Sequence, residues 1–155
     1  MRGADWTSAN QFSIVADARR FENWEFAFAL VLGLGEAARY AIGVGIDSSG
    51  KRARALAARI RSRLADLPGF QVLDKGTDLA ALVTVTISGW DSLQVVNMLR
   101  ERKINTTATL REYAVIDMDH KHAKSAVRIS PHYYNTEEET ESVVEALKEI
   151  ACIGC

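Results

Sequence analysis

The chain has 155 residues, 48% of them hydrophobic and 25% charged, which suits one compact domain or a piece of a larger one. Its 19 basic and 20 acidic residues leave a formal charge of -1, so electrostatics point neither to nucleic acid nor to a membrane surface. No stretch approaches the roughly 18 consecutive apolar residues of a membrane span. Met1-Arg2-Gly3-Ala4-Asp5-Trp6 lacks the apolar core of a secretory signal, and a cytoplasmic location is expected.

Residues 1–23 are aperiodic, polar and aromatic, and read as an extended lead-in. Helical spacing starts at Trp24 and continues to Ala41. Ala27, Leu30, Val31, Leu34, Ala37, Ala38 and Ala41 recur at steps of three and four, giving one apolar face. A second helix is predicted from about Ser49 to Leu67, with Ala53, Leu56, Ala57, Ile60, Leu64 and Leu67 facing inward. Its other faces are rich in arginine; without interleaved aromatics they read as solvated surface and not as a polyanion site. Pro68-Gly69 ends it.

Residues 70–73 form a short strand candidate, and residues 82–88 alternate between apolar and polar as a half-buried strand does. Asp91 can cap a helix reaching about Lys103, with Leu93, Val95, Val96 and Leu99 on its apolar face. Residues 104–110 are threonine-rich and β-prone; 113–116 and 126–129 are further short strand candidates. The last helix opens at Thr136, with Glu139 three residues on in capping-box spacing. Glu137, Glu138 and Glu139 suit the positive end of its dipole, and Val143, Val144, Leu147 and Ile150 form its buried stripe. The order α-α-β-β-α-β-β-α predicts an α+β fold, a mainly antiparallel small sheet covered by helices.

Three local patterns suggest chemistry. Gly33-Leu34-Gly35-Glu36-Ala37-Ala38 fits G-x-G-x-x-A after an apolar run, as a dinucleotide-binding turn does. That mechanism needs a second strand ending in an acidic residue about 20 positions on. Here that distance falls in the arginine-rich helix, and one continuous helix with close packing explains the glycines as well. Asp119-His120-Lys121-His122 suggests a Schiff-base or metal site, but its strongly polar surroundings give no burial to depress a lysine pKa, and it reads as an exposed turn or short helix. Cys152 and Cys155 form a C-x-x-C without a second ligand pair and read as an exposed tail; no metal ligands are assigned.

Three stretches together carry a resemblance. Arg19-Arg20-Phe21-Glu22-Asn23-Trp24-Glu25, leading into Gly33-Leu34-Gly35-Glu36-Ala37-Ala38, resembles the R-F-E segment and following helix of class V aminotransferases. Lys103-Ile104-Asn105-Thr106 resembles that family's entry to a small-domain strand. Val127-Arg128-Ile129-Ser130-Pro131-His132-Tyr133-Tyr134-Asn135-Thr136-Glu137-Glu138-Glu139 is similar to the R-x-S-x-H-Y-Y-N-T-E-E-E signature of its branch of selenocysteine lyases, cysteine desulfurases and isopenicillin N epimerase-like proteins. The stretches are in register and cover nearly the whole chain.

The resemblance implies a homodimeric fold-type I enzyme acting on an amino acid, with pyridoxal phosphate held as an imine to a lysine of a large domain. Residues 1–23 would end that large domain; residues 24–155 would supply the inter-domain helix and the small C-terminal domain that closes over substrate. The family's imine lysine lies upstream of R-F-E, a place that none of Lys51, Lys75, Lys103, Lys121, Lys124 and Lys148 occupies. The chain alone is therefore expected to bind no cofactor and to be inactive.

The resemblance makes Arg128 the clamp for the substrate's α-carboxylate, a role suited to a planar guanidinium that pairs bidentately and keeps its charge. Arg20 and Glu22 would tie the inter-domain segment, while His132 and Asn135 would be structural, with Asn135 or Thr136 capping the last helix. Two departures stand out. The family's desulfurases carry a nucleophilic cysteine where this chain has Thr109-Leu110-Arg111-Glu112-Tyr113, and Trp24-Glu25 replaces a G-T pair that touches the partner subunit's cofactor phosphate. Two other readings are a stand-alone α+β binding or interaction module and a nucleotide-binding domain using Gly33 and Gly35.

Overall fold

The computed structural model describes residues 3–22, 25 and 27–153. The chain divides into two compact units, residues 1–44 and 45–155.

In the first unit the lead-in folds back on itself. Strands β1 (Ala4–Ser8) and β2 (Gln11–Ile14) pair antiparallel, with Trp6 opposite Phe12 and their rings edge to face at 6.3 Å. Ala4, Trp6, Phe12 and Ile14 alternate with polar residues and share one face of this hairpin, although neither face is buried. A short 3-10 turn over Ala18–Phe21 comes next, its entry fixed by the Asp17 carboxylate accepting the Arg19 N–H at 2.9 Å.

Helix α1 spans Phe28–Val44. The predicted start at Trp24 lies outside the described residues. The helix runs unbroken through Gly33 and Gly35, so no phosphate-binding turn forms there, and the nucleotide reading is overturned. Close packing does not explain the two glycines either: an added Cβ at each would meet nothing within 4 Å.

The second unit carries the buried core. Gly45 adopts φ 95°, a left-handed conformation suited to glycine, and α2 (Ile46–Ala65) starts directly after it. Then come β3 (Phe70–Val72), β4 (Val83–Ile87), α3 (Ser92–Glu101), β5 (Thr107–Leu110), α4 (Val115–His120), β6 (Ser125–Ile129) and α5 (Glu137–Ile153). The strands form one sheet in the order β3-β4-β6-β5, with every neighbouring pair antiparallel.

Alternation along the strands sorts the two sheet faces. Val83, Val85 and Ile87 of β4 and Val127 and Ile129 of β6 pack with Ala57, Ile60 and Leu64 of α2, Val95, Val96 and Leu99 of α3, and Val143, Val144, Leu147 and Ile150 of α5. Each helical stripe predicted for this unit supplies the cluster, although Ala53 and Leu56 are buried outside it and Leu93 is 48% exposed. The opposite face holds a small cluster of Leu73, Met118 and Ala126.

The strand predicted at 113–116 is instead a 3-10 turn over Arg111–Tyr113 running into α4. Its apolar residues point to solvent, Tyr113 at 72% and Ile116 at 78% exposure, while Met118 fills the small cluster. Arg111 folds back on Asp119, their second N···O contact being 2.7 Å, so tertiary partners override local β-propensity.

Two polar arrangements fasten helices to this sheet. Arg61 of α2 donates through Nε to the Asp74 carboxylate at 2.7 Å, with side chains only 12% and 8% exposed. Its Nη2 reaches the carbonyls of Ala80 and Leu82, and the other Asp74 oxygen accepts both the N–H and the hydroxyl of Thr84. The arginine-rich face of α2 also meets α5. Arg59 pairs with Glu137 and Glu141 at 2.6 and 2.8 Å, and Arg63 approaches Glu141 and Glu145 at 3.3 and 3.4 Å. That face is thus an inter-helix seam, although such half-exposed pairs contribute only about 0–1 kcal/mol each.

The capping box forms as predicted. Thr136 Oγ1 accepts the Glu139 N–H at 3.1 Å, and Glu139 Oε2 accepts the Thr136 N–H at 2.9 Å. Asn135 adds a side-chain N–H to the same carboxylate at 3.0 Å.

Asp74→Ala strands the Arg61 guanidinium in a largely buried place and is expected to cost about 3–5 kcal/mol, read from urea unfolding against wild type. Asp74→Asn keeps an acceptor for Thr84 and is expected to lose less. Acidification is expected to loosen the α5 end. The Asn135 hydrogen bond, then the Thr136 N–H, holds the Glu139 carboxyl below the usual glutamate range, and Arg59 does the same for Glu141. A carboxyl depressed on folding stabilises fully above the unfolded glutamate pKa, and that contribution disappears as pH falls through the folded value. Tm measured from neutral to strongly acid solution should therefore drop over that interval, and less steeply in Glu139→Gln.

Candidate functional site

Strand β6 decides where the candidate residue stands. Successive side chains of a strand alternate between faces, so Val127 and Ile129 enter the core while Arg128 projects from the other face. β6 lies between β4 and β5, and Arg128 is directly across from Thr84 on one side and Thr107 on the other. Arg128 is exposed. Among the described residues its guanidinium has no hydrogen-bond or ion-pair partner, so it is not consumed by neighbouring backbone carbonyls.

The arginines around it are differently employed. Asp74, the acid nearest in the ladder through its bonds to Thr84, is already occupied by Arg61. Arg128 is therefore a cation held on a rigid strand between two neutral hydroxyl-bearing residues. Such an arrangement can take a carboxylate, whose two oxygens match the guanidinium fork. Sequence reasoning reached Arg128 but missed the Arg61–Asp74–Thr84 arrangement behind it, because those partners are 13 and 10 residues apart with no motif linking them.

The loop after β6 is braced from α2. Arg52 donates to the carbonyls of Tyr133 and Asn135, each at 3.1 Å, and the His132 N–H donates to Asn135 Oδ1 at 2.7 Å. His132 packs its ring against Tyr133 and Tyr134 with centroids 4.5 Å away in each case. His132 and Asn135 thus shape the loop, Thr136 caps α5, and none of the three reaches the Arg128 face by any of these bonds. Together with residues 103–106 the loop walls a cleft of about 440 Å³ lined by Ile60, Ile129 and Val143, which belong to the helix side of the sheet. Thr106 borders it, and its buried hydroxyl lacks a partner among the described residues.

Lys103-Ile104-Asn105-Thr106 is the link from α3 to β5. Lys103 takes φ 62°, its N–H bonding the Arg100 carbonyl, while the Ile104 N–H returns to Leu99, which closes the helix before the strand begins.

The remaining sequence candidates are scattered. Lys121 pairs with Asp117 at 2.8 Å, four residues away, with its own side chain only 15% exposed and that of Asp117 60% exposed. Lys148 is bound to Glu145 at 2.6 Å, and Lys51, Lys75, Lys103 and Lys124 are exposed. Arg20 lies over the Phe21 ring at 4.7 Å. Cys152 is exposed near the end of α5, and Cys155 lies outside the described residues, as does Trp24. Among the described residues no group of three or more histidines, cysteines or acids is placed to hold a metal ion.

Comparison with known proteins gives this geometry a family. The aminotransferase class-V family model matches residues 5–143. A relative described as probable cysteine desulfurase 1 of Mycobacterium leprae (strain TN) is 30% identical over 132 residues, 85% of this chain and 21% of that protein. The crystal structure of the cysteine desulfurase CsdA from Escherichia coli is similar with a TM-score of 0.79 and 21% identity, covering 99% of this chain and 38% of that one. A mutant of C-DES, with glycine covalently linked to its PLP cofactor, is similar at TM-score 0.61 and 22% identity over 94% of this chain and 36% of its own. The chain thus spans between about a fifth and two fifths of the length of these proteins. Matched over most of its own length, it belongs to the aminotransferase class-V family, and it shares its α+β fold with part of these solved structures.

Proposed function

We propose that this chain is the substrate-closing small domain of a pyridoxal-phosphate enzyme acting on an amino acid, with Arg128 as the clamp for the α-carboxylate. The observation that carries the reading is the unengaged Arg128 guanidinium on the open sheet face, at the head of the R-x-S-x-H-Y-Y-N-T-E-E-E stretch. A clamp has to be free of protein partners and yet fixed in place, and a central strand bonded on both sides supplies that fixity.

When bound by the parent enzyme, the cofactor ring would serve as the electron sink for chemistry at the substrate's α-carbon. The residues of this chain would orient the substrate by its carboxylate and, as the domain closes, keep water from it. In this reading the imine lysine belongs to a separate segment of the parent. The parent is a homodimer in this reading. Residues 109–113 carry no cysteine, so any sulfur transfer would not pass through a thiol at that place.

Two measurements test the reading. Pyridoxal phosphate added to the purified chain should give no absorbance band of lysine-bound cofactor; a stoichiometric band that borohydride fixes would overturn catalytic incompleteness. In an active assembly containing this domain, Arg128→Lys should lower kcat/KM by roughly thirtyfold or more, about 2 kcal/mol, because the ammonium cannot pair bidentately. The amide of the same amino acid should lose less, and an unchanged kcat/KM for the acid would remove Arg128 from the clamp.

A further inference from the structure

Two arginines stand near one acid, and only one of them holds it. The Asp74 carboxylate accepts Arg61 Nε on one oxygen, while the other accepts the Thr84 N–H at 3.0 Å and the Thr84 hydroxyl at 2.5 Å. The Thr84 carbonyl accepts the Leu73 N–H at 2.9 Å. Both main-chain polar groups of Thr84 are thus engaged away from β6. Its pair with Arg128 is therefore the kind without mutual hydrogen bonds, in which Cα atoms approach to about 4.5 Å and side chains lie closer. Opposed residues share a face, so the Arg128 side chain starts beside the hydroxyl that holds Asp74. That carboxylate lies one hydrogen bond beyond Thr84, inside the roughly 7–8 Å that a long side chain covers across a sheet.

We infer that Arg61 is a positioning residue for Arg128: it keeps Asp74 satisfied, so that this acid does not draw Arg128 down across Thr84. A carboxylate only 8% exposed cannot go without a cation. Arg61 outcompetes Arg128 for it because the Arg61 fork also reaches the carbonyls of Ala80 and Leu82, at 2.5 and 2.7 Å. Without Arg61, the guanidinium directly across from Thr84 becomes the replacement. Asp74 then acts as a tethered competitor for any carboxylate ligand, at the high effective concentration of a group in the same molecule. This consequence for substrate rests on the clamp reading of Arg128, whereas the competition of two arginines for Asp74 does not.

The test reads the Arg128 Nε–H of the purified chain by nitrogen-15 NMR, its resonance assigned by its loss in Arg128→Lys. Arg61→Gln should slow exchange of that proton with water at least about tenfold, the effect of one hydrogen bond to a charged group. Adding Asp74→Asn to Arg61→Gln should restore the wild-type rate. If Arg61→Gln does not fold, Arg61→Lys takes its place: an ammonium lacks the fork, holds Asp74 less firmly and should give the same change in smaller size. An Arg128 rate equal to wild type in the folded variant overturns the inference, and so does slowing that survives Asp74→Asn. In an active assembly containing this domain, Arg61→Gln should raise KM about tenfold with kcat nearly unchanged, and the double variant should recover it. Arg128→Lys run beside them separates the two readings. If it leaves kcat/KM unchanged, the clamp reading fails and the NMR result alone decides the competition. If it impairs kcat/KM while Arg61→Gln leaves KM unchanged, the positioning role of Arg61 is overturned.

Discussion

Arg61 and Asp74 form the charged contact on which the arrangement of the second unit depends. An ion pair with side chains this little exposed forfeits hydration and persists only when its remaining hydrogen-bonding capacity is used. Here it is used: Arg61 reaches two backbone carbonyls, and Asp74 takes both the N–H and the hydroxyl of Thr84. One pair thereby links α2, the 74–82 connection and the start of β4. Thr84 is also the residue across from Arg128, so the contact that seats the helix layer sets the position of the neighbour beside the candidate clamp.

Electrostatics elsewhere plays a lesser part. The Arg59 and Arg63 contacts to α5 are half exposed, and they align two helices already joined by Ile60, Leu64, Val143 and Leu147 in the core. Arg52 acts locally, holding the loop that leads from β6 into α5. The same helix α2 therefore presents three arginine functions along its length: a buried anchor, an inter-helix seam and a loop brace.

How much of the fold was legible in the sequence depends on how local each cause is. The strand at 82–88 shows through because one face is buried, and the cap at Thr136 shows through because all its partners lie within four residues. Arg128 was legible as part of a contiguous signature. The hairpin of residues 4–14 was less legible, since Ala4, Trp6, Phe12 and Ile14 alternate with polar residues over runs of only four or five positions, on a ribbon exposed on both faces. Residues 113–116 misled because β-prone side chains there face solvent, and Met118 and the Arg111–Asp119 pair decide the backbone. The basic face of α2 looked solvated because its acidic partners stand about 80 residues away.

The placing of β6 between two antiparallel neighbours has a consequence for how the face that carries Arg128 comes into being. A slip of one residue against either neighbour would turn Arg128 into the core and Val127 out to water. Such a slip must break two ladders at once, so partly correct pairings have no stable resting point. The Arg128-bearing face is thus inherited whole from strand pairing: a folded molecule has it, and a misregistered one is rejected by its own interior.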